Sequence, residues 1–140
     1  MARGDHIRVF RRGYWHHGID CGDGTVIHYT GELFNRKDAA VKRTSMEAFA
    51  KGGRVRVVRT KSAYDAEGVM LRAQSRLHEA RYSPVLNNCE HFARWCTTGT
   101  AESRQVRLTI AALAGVTVAA VTVVAALQMV KGAVRTAERA

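Results

Sequence analysis

The stretch Asn87-Asn88-Cys89-Glu90-His91-Phe92, continued by Ala93-Arg94-Trp95-Cys96, decides how the rest of this 140-residue chain is read. Asn88 predicts a helix N-cap, because its side-chain oxygen accepts from a free backbone N–H of the first turn, and Gly99 predicts the C-cap. Between them Phe92, Trp95 and Cys96 recur at i, i+3 and i+4 and give the helix one apolar stripe. Cys89 then stands in the first helical turn, where unpaired N–H groups and the macrodipole favour thiolate and lower its pKa below the free value of about 8.5. Such a sulfur is a candidate nucleophile; the plain alternative is a buried structural cysteine. A nucleophile needs a base, and His91 is not placed to be one, because side chains two apart on a helix diverge by about 200°.

The base must come from upstream. Tyr14 to Cys21 and Thr25 to Thr30 are strand-like runs around Gly22-Asp23-Gly24, which predicts a β-hairpin. Its register decides which imidazole matters. A three-residue loop sets Cys21 opposite Thr25 and Gly18 opposite His28, so that His16 and His28 share a face. A two-residue Asp23-Gly24 turn slips the pairing by one, and His17 joins His28 instead.

Further outward, Asp5 to Phe10 alternates as a half-buried strand. Met46, Phe49 and Ala50 suggest a short helix near 45–50, and 54–59 reads as a strand with Val55 and Val57 on one face. Ala66, Val69, Met70, Ala73, Leu77 and Ala80 keep helical spacing from Tyr64 to about Arg81. His6 and His78 receive no role. Leu108 to Val130 holds no charge, and as a helix of about 34 Å it would cross a hydrocarbon core of about 30 Å. Ala111, Gly115 and Ala119 give it a small-residue face suited to packing against another span.

Composition narrows the class. The formal charge is +10, with 17 arginines among the 22 basic residues, which calls for an anionic partner such as phospholipid or nucleic acid, or for no partner beyond water. The cysteines Cys21, Cys89 and Cys96 form no disulfide framework, and residues 1–20 contain no apolar signal region. A reducing compartment suits a working thiol.

Gly4-Asp5-His6-Ile7, His16-His17-Gly18-Ile19, Gly22-Asp23-Gly24, Val26-Ile27-His28 and Asn88-Cys89-Glu90-His91-Phe92 stand in one order along the chain. In this the chain, over roughly residues 4 to 99, resembles the lecithin:retinol acyltransferase-like family, which includes the small phospholipase A/acyltransferases and is a permuted relative of the NlpC-type cysteine peptidases. The twelve-residue step from His16 to His28 fits that family. His17, Asp20 and Cys21 depart from it, standing where an aromatic, an aromatic and an aliphatic residue are usual.

The resemblance implies an α+β fold, a small antiparallel sheet with packed helices, over a domain 1–104. A C-terminal region 105–140 would follow, with a transmembrane helix near 108–130. It implies Cys89 as nucleophile, His16 as general base and His28 as the group that orients His16, with no cofactor and no metal. It also favours the three-residue-loop register. Phospholipid at a membrane surface is the implied partner, with water, an amine or an alcohol as acyl acceptor. No nucleic acid is expected, and the span could support a homo-oligomer. With no signal upstream, the domain is expected on the cytoplasmic side of a single C-terminal span. Two other readings stand beside this one: an NlpC-like peptidase or amidase, and a basic membrane-binding module without catalysis.

Overall fold

The computed structural model describes residues 1–11, 13–30, 38–59, 61–81, 83, 88–104 and 107–116. Two compact units divide the chain, Met1–Ser103 and Arg104–Ala140. In the second, residues 107–116 are helical and Leu108, Ile110, Leu113 and Val116 are exposed. No helix among the described residues is long and apolar enough to cross a membrane, and most of the expected span at 108–130 lies outside them.

The first unit is α+β. Five antiparallel strands, β1 (His6–Arg11), β2 (Tyr14–Asp20), β3 (Thr25–Tyr29), β4 (Val41–Ser45) and β5 (Arg56–Val57), lie in the order β4-β3-β2-β1-β5. Three helices accompany them: α1 (Met46–Ala50), α2 (Ala66–Ser75) and α3 (Cys89–Thr98).

The hairpin takes the three-residue loop. Ile19 lies opposite Ile27, Asp20 opposite Val26, and the Cys21 N–H donates to the Thr25 carbonyl at 2.9 Å. Beyond Ile19 the ladder between β2 and β3 stops, so the two strands are paired only near their turn. Gly18 is needed here: a Cβ at this position would lie 2.6 Å from Val26 Cγ1 and 3.2 Å from His28 Cβ.

Strand alternation sends successive side chains to opposite faces, and each face has its own core. On one, Ile19, Cys21, Ile27 and Tyr29 meet Val69, Met70 and Ala73 of α2 and Cys89, Phe92, Ala93 and Cys96 of α3. On the other, Ile7, Val9 and Val26 meet Phe49 of α1. Helix α3 follows the predicted boundaries, capped by Asn88 and ended at Gly99, whose φ of 81° is a left-handed conformation that favours glycine.

Three elements differ from the sequence pattern. Strand β4 was not foreseen: Lys42 and Arg43 are exposed on an edge strand, where charge blocks further pairing and hides the strand signal. Helix α2 stops at Ser75 although apolar spacing continues. The His78 N–H donates to Val41 O and the Val41 N–H to Glu79 O, so the chain turns onto β4, with His78 at φ 69°. The strand expected over 54–59 is reduced to Arg56–Val57 opposite Ile7 and Arg8.

Candidate active site

Cys89 is the first residue of α3. Asn88 supports that helix start with its side-chain oxygen, which accepts from the N–H groups of Glu90 (3.0 Å) and His91 (3.1 Å). The Asn88 N–H in turn lies 3.4 Å from His91 Nδ1, completing a capping box. Two of the first-turn donors are therefore occupied by Asn88.

The sulfur itself lies against the main chain of β2. Cys89 Sγ is 4.0 Å from the Trp15 carbonyl oxygen and receives the His17 N–H. A carbonyl at one residue and an N–H two residues on point to the same strand edge and flank the residue between them. Cys89 thus occupies the edge of β2 beside His16, where the ladder to β3 has ended. It lies at the level of the strand backbone, with the His16 ring leaving from one face of the sheet and the His17 ring from the other.

Each of those rings has an imidazole partner. His16 Nε2 and His28 Nδ1 share a hydrogen bond of 2.9 Å, and Phe49 packs on both rings. His28 Nε2 lies 2.9 Å from Thr44 Oγ1, and its Nδ1 is also 3.0 Å from the Tyr29 carbonyl. On the α3 side, His17 Nδ1 and His6 Nε2 share a hydrogen bond of 2.8 Å. His6 was given no role from sequence. The β1–β2 register, with Arg8 opposite His17 and His6 opposite Ile19, makes it a diagonal neighbour of His17, and reading Gly13 as a tight hairpin turn would have revealed it. Among the described residues, His16 Nδ1 is a buried nitrogen with no hydrogen-bond partner, and Cys89 Sγ is bonded to no imidazole.

Burial governs the charges. It pushes the Cys89 thiol up to about 11, opposed by the N–H groups of His17 and Glu90. The helix start alone predicts a lowered value, so here desolvation outweighs the dipole. Burial also lowers His6 to about 3, His17 to about 4 and His28 to about 4, and holds His16 well below its usual range. All four rings are neutral at pH 7, and the resting sulfur is a thiol. Among the described residues no group of three or more His, Cys, Asp or Glu side chains could hold a metal ion.

A helix-start thiol set against a sheet edge, with an imidazole pair on each face of the sheet, marks this small α+β unit. The chain belongs to the lecithin retinol acyltransferase family, whose family model matches residues 1–102. It is 30% identical over 134 residues to lecithin retinol acyltransferase of Rattus norvegicus, covering 75% of this chain and 58% of that protein. It is 32% identical over 120 residues to phospholipase A and acyltransferase 4 of Homo sapiens, covering 74% and 73%. With phospholipase A and acyltransferase 3 of Homo sapiens it shares 29% identity over 147 residues, covering 86% of each. The chain thus spans little more than half the length of the lecithin retinol acyltransferases it matches.

Proposed function

We propose that this chain is a membrane-tethered thiol acyltransferase and phospholipase A that acts on the acyl esters of phospholipids through a thioester on Cys89. The observation that carries the reading is the position of Cys89 Sγ on the β2 edge beside His16, whose far nitrogen is held by His28. The relatives' names, acyltransferase and phospholipase A, supply the reaction class.

His16 is assigned as the base and His28 as the group that orients it. For His16 to accept at Nδ1 it must carry its own proton on Nε2 and donate it to His28 Nδ1, which then gives up donation to the Tyr29 carbonyl. His28 then carries its proton on Nε2, facing Thr44 Oγ1. The Sγ proton passes to Nδ1 as sulfur attacks the acyl carbonyl, and the Cys89 N–H faces the developing oxyanion. The glyceryl oxygen leaves with that proton. Water, an amine or an alcohol then takes the acyl group and restores the thiol. A second assignment, His17 as base with His6 behind it, is favoured by the His17 N–H that already meets the sulfur and by the shared α3 face.

The membrane reading rests on the uncharged stretch 108–130 and on the net charge of +10, which suits anionic headgroups. The domain is placed on the cytoplasmic face, and protease added outside sealed cells should leave it intact. Pairing of two copies through Ala111, Gly115 and Ala119 belongs to the same proposal.

The decisive test is intact-mass measurement of the full chain, in detergent, after incubation with phospholipid. An acyl adduct on Cys89 that hydroxylamine removes is the expected result. Fatty-acid release by Cys89→Ala at the wild-type rate would sink the reading.

A further inference from the structure

Beside the sulfur, on the α3 face of the sheet, lies a cluster that the chemistry above leaves unused. Arg8 and Arg56 are opposite one another on β1 and β5, and Phe10 is opposite Trp15 on β1 and β2, so all four side chains share one face. The Arg8 guanidinium carbon is 4.2 Å from the centroid of the Trp15 ring and that of Arg56 is 6.0 Å from it. Phe10 packs edge-on against the same ring at 5.3 Å and is 56% exposed. The carbonyl of this Trp15 is the one that touches Cys89 Sγ.

The charges here are unmatched. Arg3, Arg43, Arg76 and Arg94 each have a carboxylate partner, in Glu67, Asp23, Glu79 and Glu102. Among the described residues neither Arg8 nor Arg56 has one, and Arg8 Nε is a buried donor with no acceptor. Two guanidinium groups against one indole form a pair of positive charges whose donors suit a phosphate. Phe10 beside them suits the apolar part of a lipid.

We propose that Arg8 and Arg56, braced on Trp15, bind the headgroup phosphate of the phospholipid whose acyl ester meets Cys89. The proposal rests on the acyl-ester reading of the site. It makes phosphate, rather than the acyl chain alone, a determinant of which ester is attacked. In a glycerophospholipid the phosphate is only a few bonds from the ester carbonyl, and in the protein the cluster and the sulfur are joined through one residue, Trp15.

The test compares two substrates with the same acyl esters, dihexanoylphosphatidylcholine and dihexanoylglycerol, on the full chain in nonionic detergent. The wild type should prefer the first. At about fivefold for each basic residue held against lipid phosphate, Arg8→Gln/Arg56→Gln should reduce the ratio of kcat/KM for the two by about 25-fold. An unchanged ratio, whether both rates fall or neither does, overturns the phosphate site. Arg8→Lys/Arg56→Lys should keep most of the ratio, since charge is retained; a collapse as large as with glutamine overturns the electrostatic account. Should neither compound acylate the wild type, the acyl-ester reading fails, and binding to Cys89→Ala, followed by tryptophan fluorescence, decides the phosphate site alone. Tighter binding of the phosphate-bearing compound, lost on adding Arg8→Gln/Arg56→Gln, supports it; equal binding of the two overturns it. Displacement of the lipid by equimolar inorganic phosphate would make this a free-anion site and overturn the lipid assignment.

Discussion

Acid should unfold the unit Met1–Ser103 through its buried imidazoles, and the size of the effect follows from their environments. Burial lowers His17 and His28 to about 4 and His6 to about 3, from 6.5, with Arg8 and Arg94 adding repulsion at His6 and His17 and Glu90 opposing it at His17. Between those values the unfolded chain binds protons that the native state refuses, so stability rises with pH through this window. The stability is fully present above 6.5 and is lost as the pH falls toward the folded-state values. From about pH 7 to about pH 5 each ring removes about 2 kcal/mol, and the three together about 6 kcal/mol. That is comparable with the whole stability of a small domain, roughly 5–15 kcal/mol. Urea unfolding of the full chain in nonionic detergent, followed by tryptophan fluorescence at the two pH values, measures the difference. The double variant His6→Leu/His17→Phe removes the pair on the α3 face in favour of apolar side chains of similar size. It should reduce the loss by about 4 kcal/mol, the share of those two rings, and leave that of His28 and His16. A wild-type loss below about 1 kcal/mol, or a variant with the wild-type slope, would mean that these rings are hydrated in the native state and would refute the reasoning.

Substitution of the two candidate bases separates the two assignments: His16→Ala should abolish acylation nearly as fully as Cys89→Ala, by about a thousandfold or more, while His17→Ala should cost far less. The reverse result in an intact-mass assay would hand the role to the His6–His17 pair. Because burial keeps His16 neutral well below 6.5, kcat/KM should show no acid limb near pH 6.5; a fall centred there would place a hydrated imidazole at the base position. Gly18→Ala would put a Cβ 2.6 Å from Val26 and 3.0 Å from Phe49, costing about 1–3 kcal/mol and moving His28 off His16. A thermal melt and an acylation assay should both register it, and an unchanged Tm would show that the neighbours yield.

What was legible in the sequence is what local chemistry determines. Asn88 and Gly99 mark the ends of α3 because caps act through a few adjacent backbone groups. Gly22-Asp23-Gly24 announces the hairpin, and once its register is chosen the meeting of His16 and His28 follows from alternation alone. What was not legible depends on contacts between distant segments. The end of α2 is set by Val41, more than thirty residues upstream in the chain, whose carbonyl takes the His78 N–H. β4 is held by pairing with β3 and carries no apolar alternation of its own. The pairing of His6 with His17 requires the β1–β2 register, which no short motif spells out.

The state of the sulfur is where local and distant effects oppose each other. A helix N-terminus stabilises a nearby anion by about 0.3–1 kcal/mol, less than one pH unit of thiol acidity. The value of about 11 lies two units above the reference 9.0, a penalty of roughly 3 kcal/mol that remains after the His17 and Glu90 N–H groups have acted. Reading Cys89 from its own helix therefore predicts the wrong sign, because the dominant contribution comes from burial against β2. The same burial lowers His16, which keeps a neutral imidazole beside a neutral thiol rather than an ion pair. In the reaction proposed above, proton transfer would then belong with the attack on the carbonyl, when negative charge leaves sulfur for the carbonyl oxygen. A buried site of this kind would withhold the thiolate until an acyl group is in place, and the two neutral partners need no counter-ion inside the sheet.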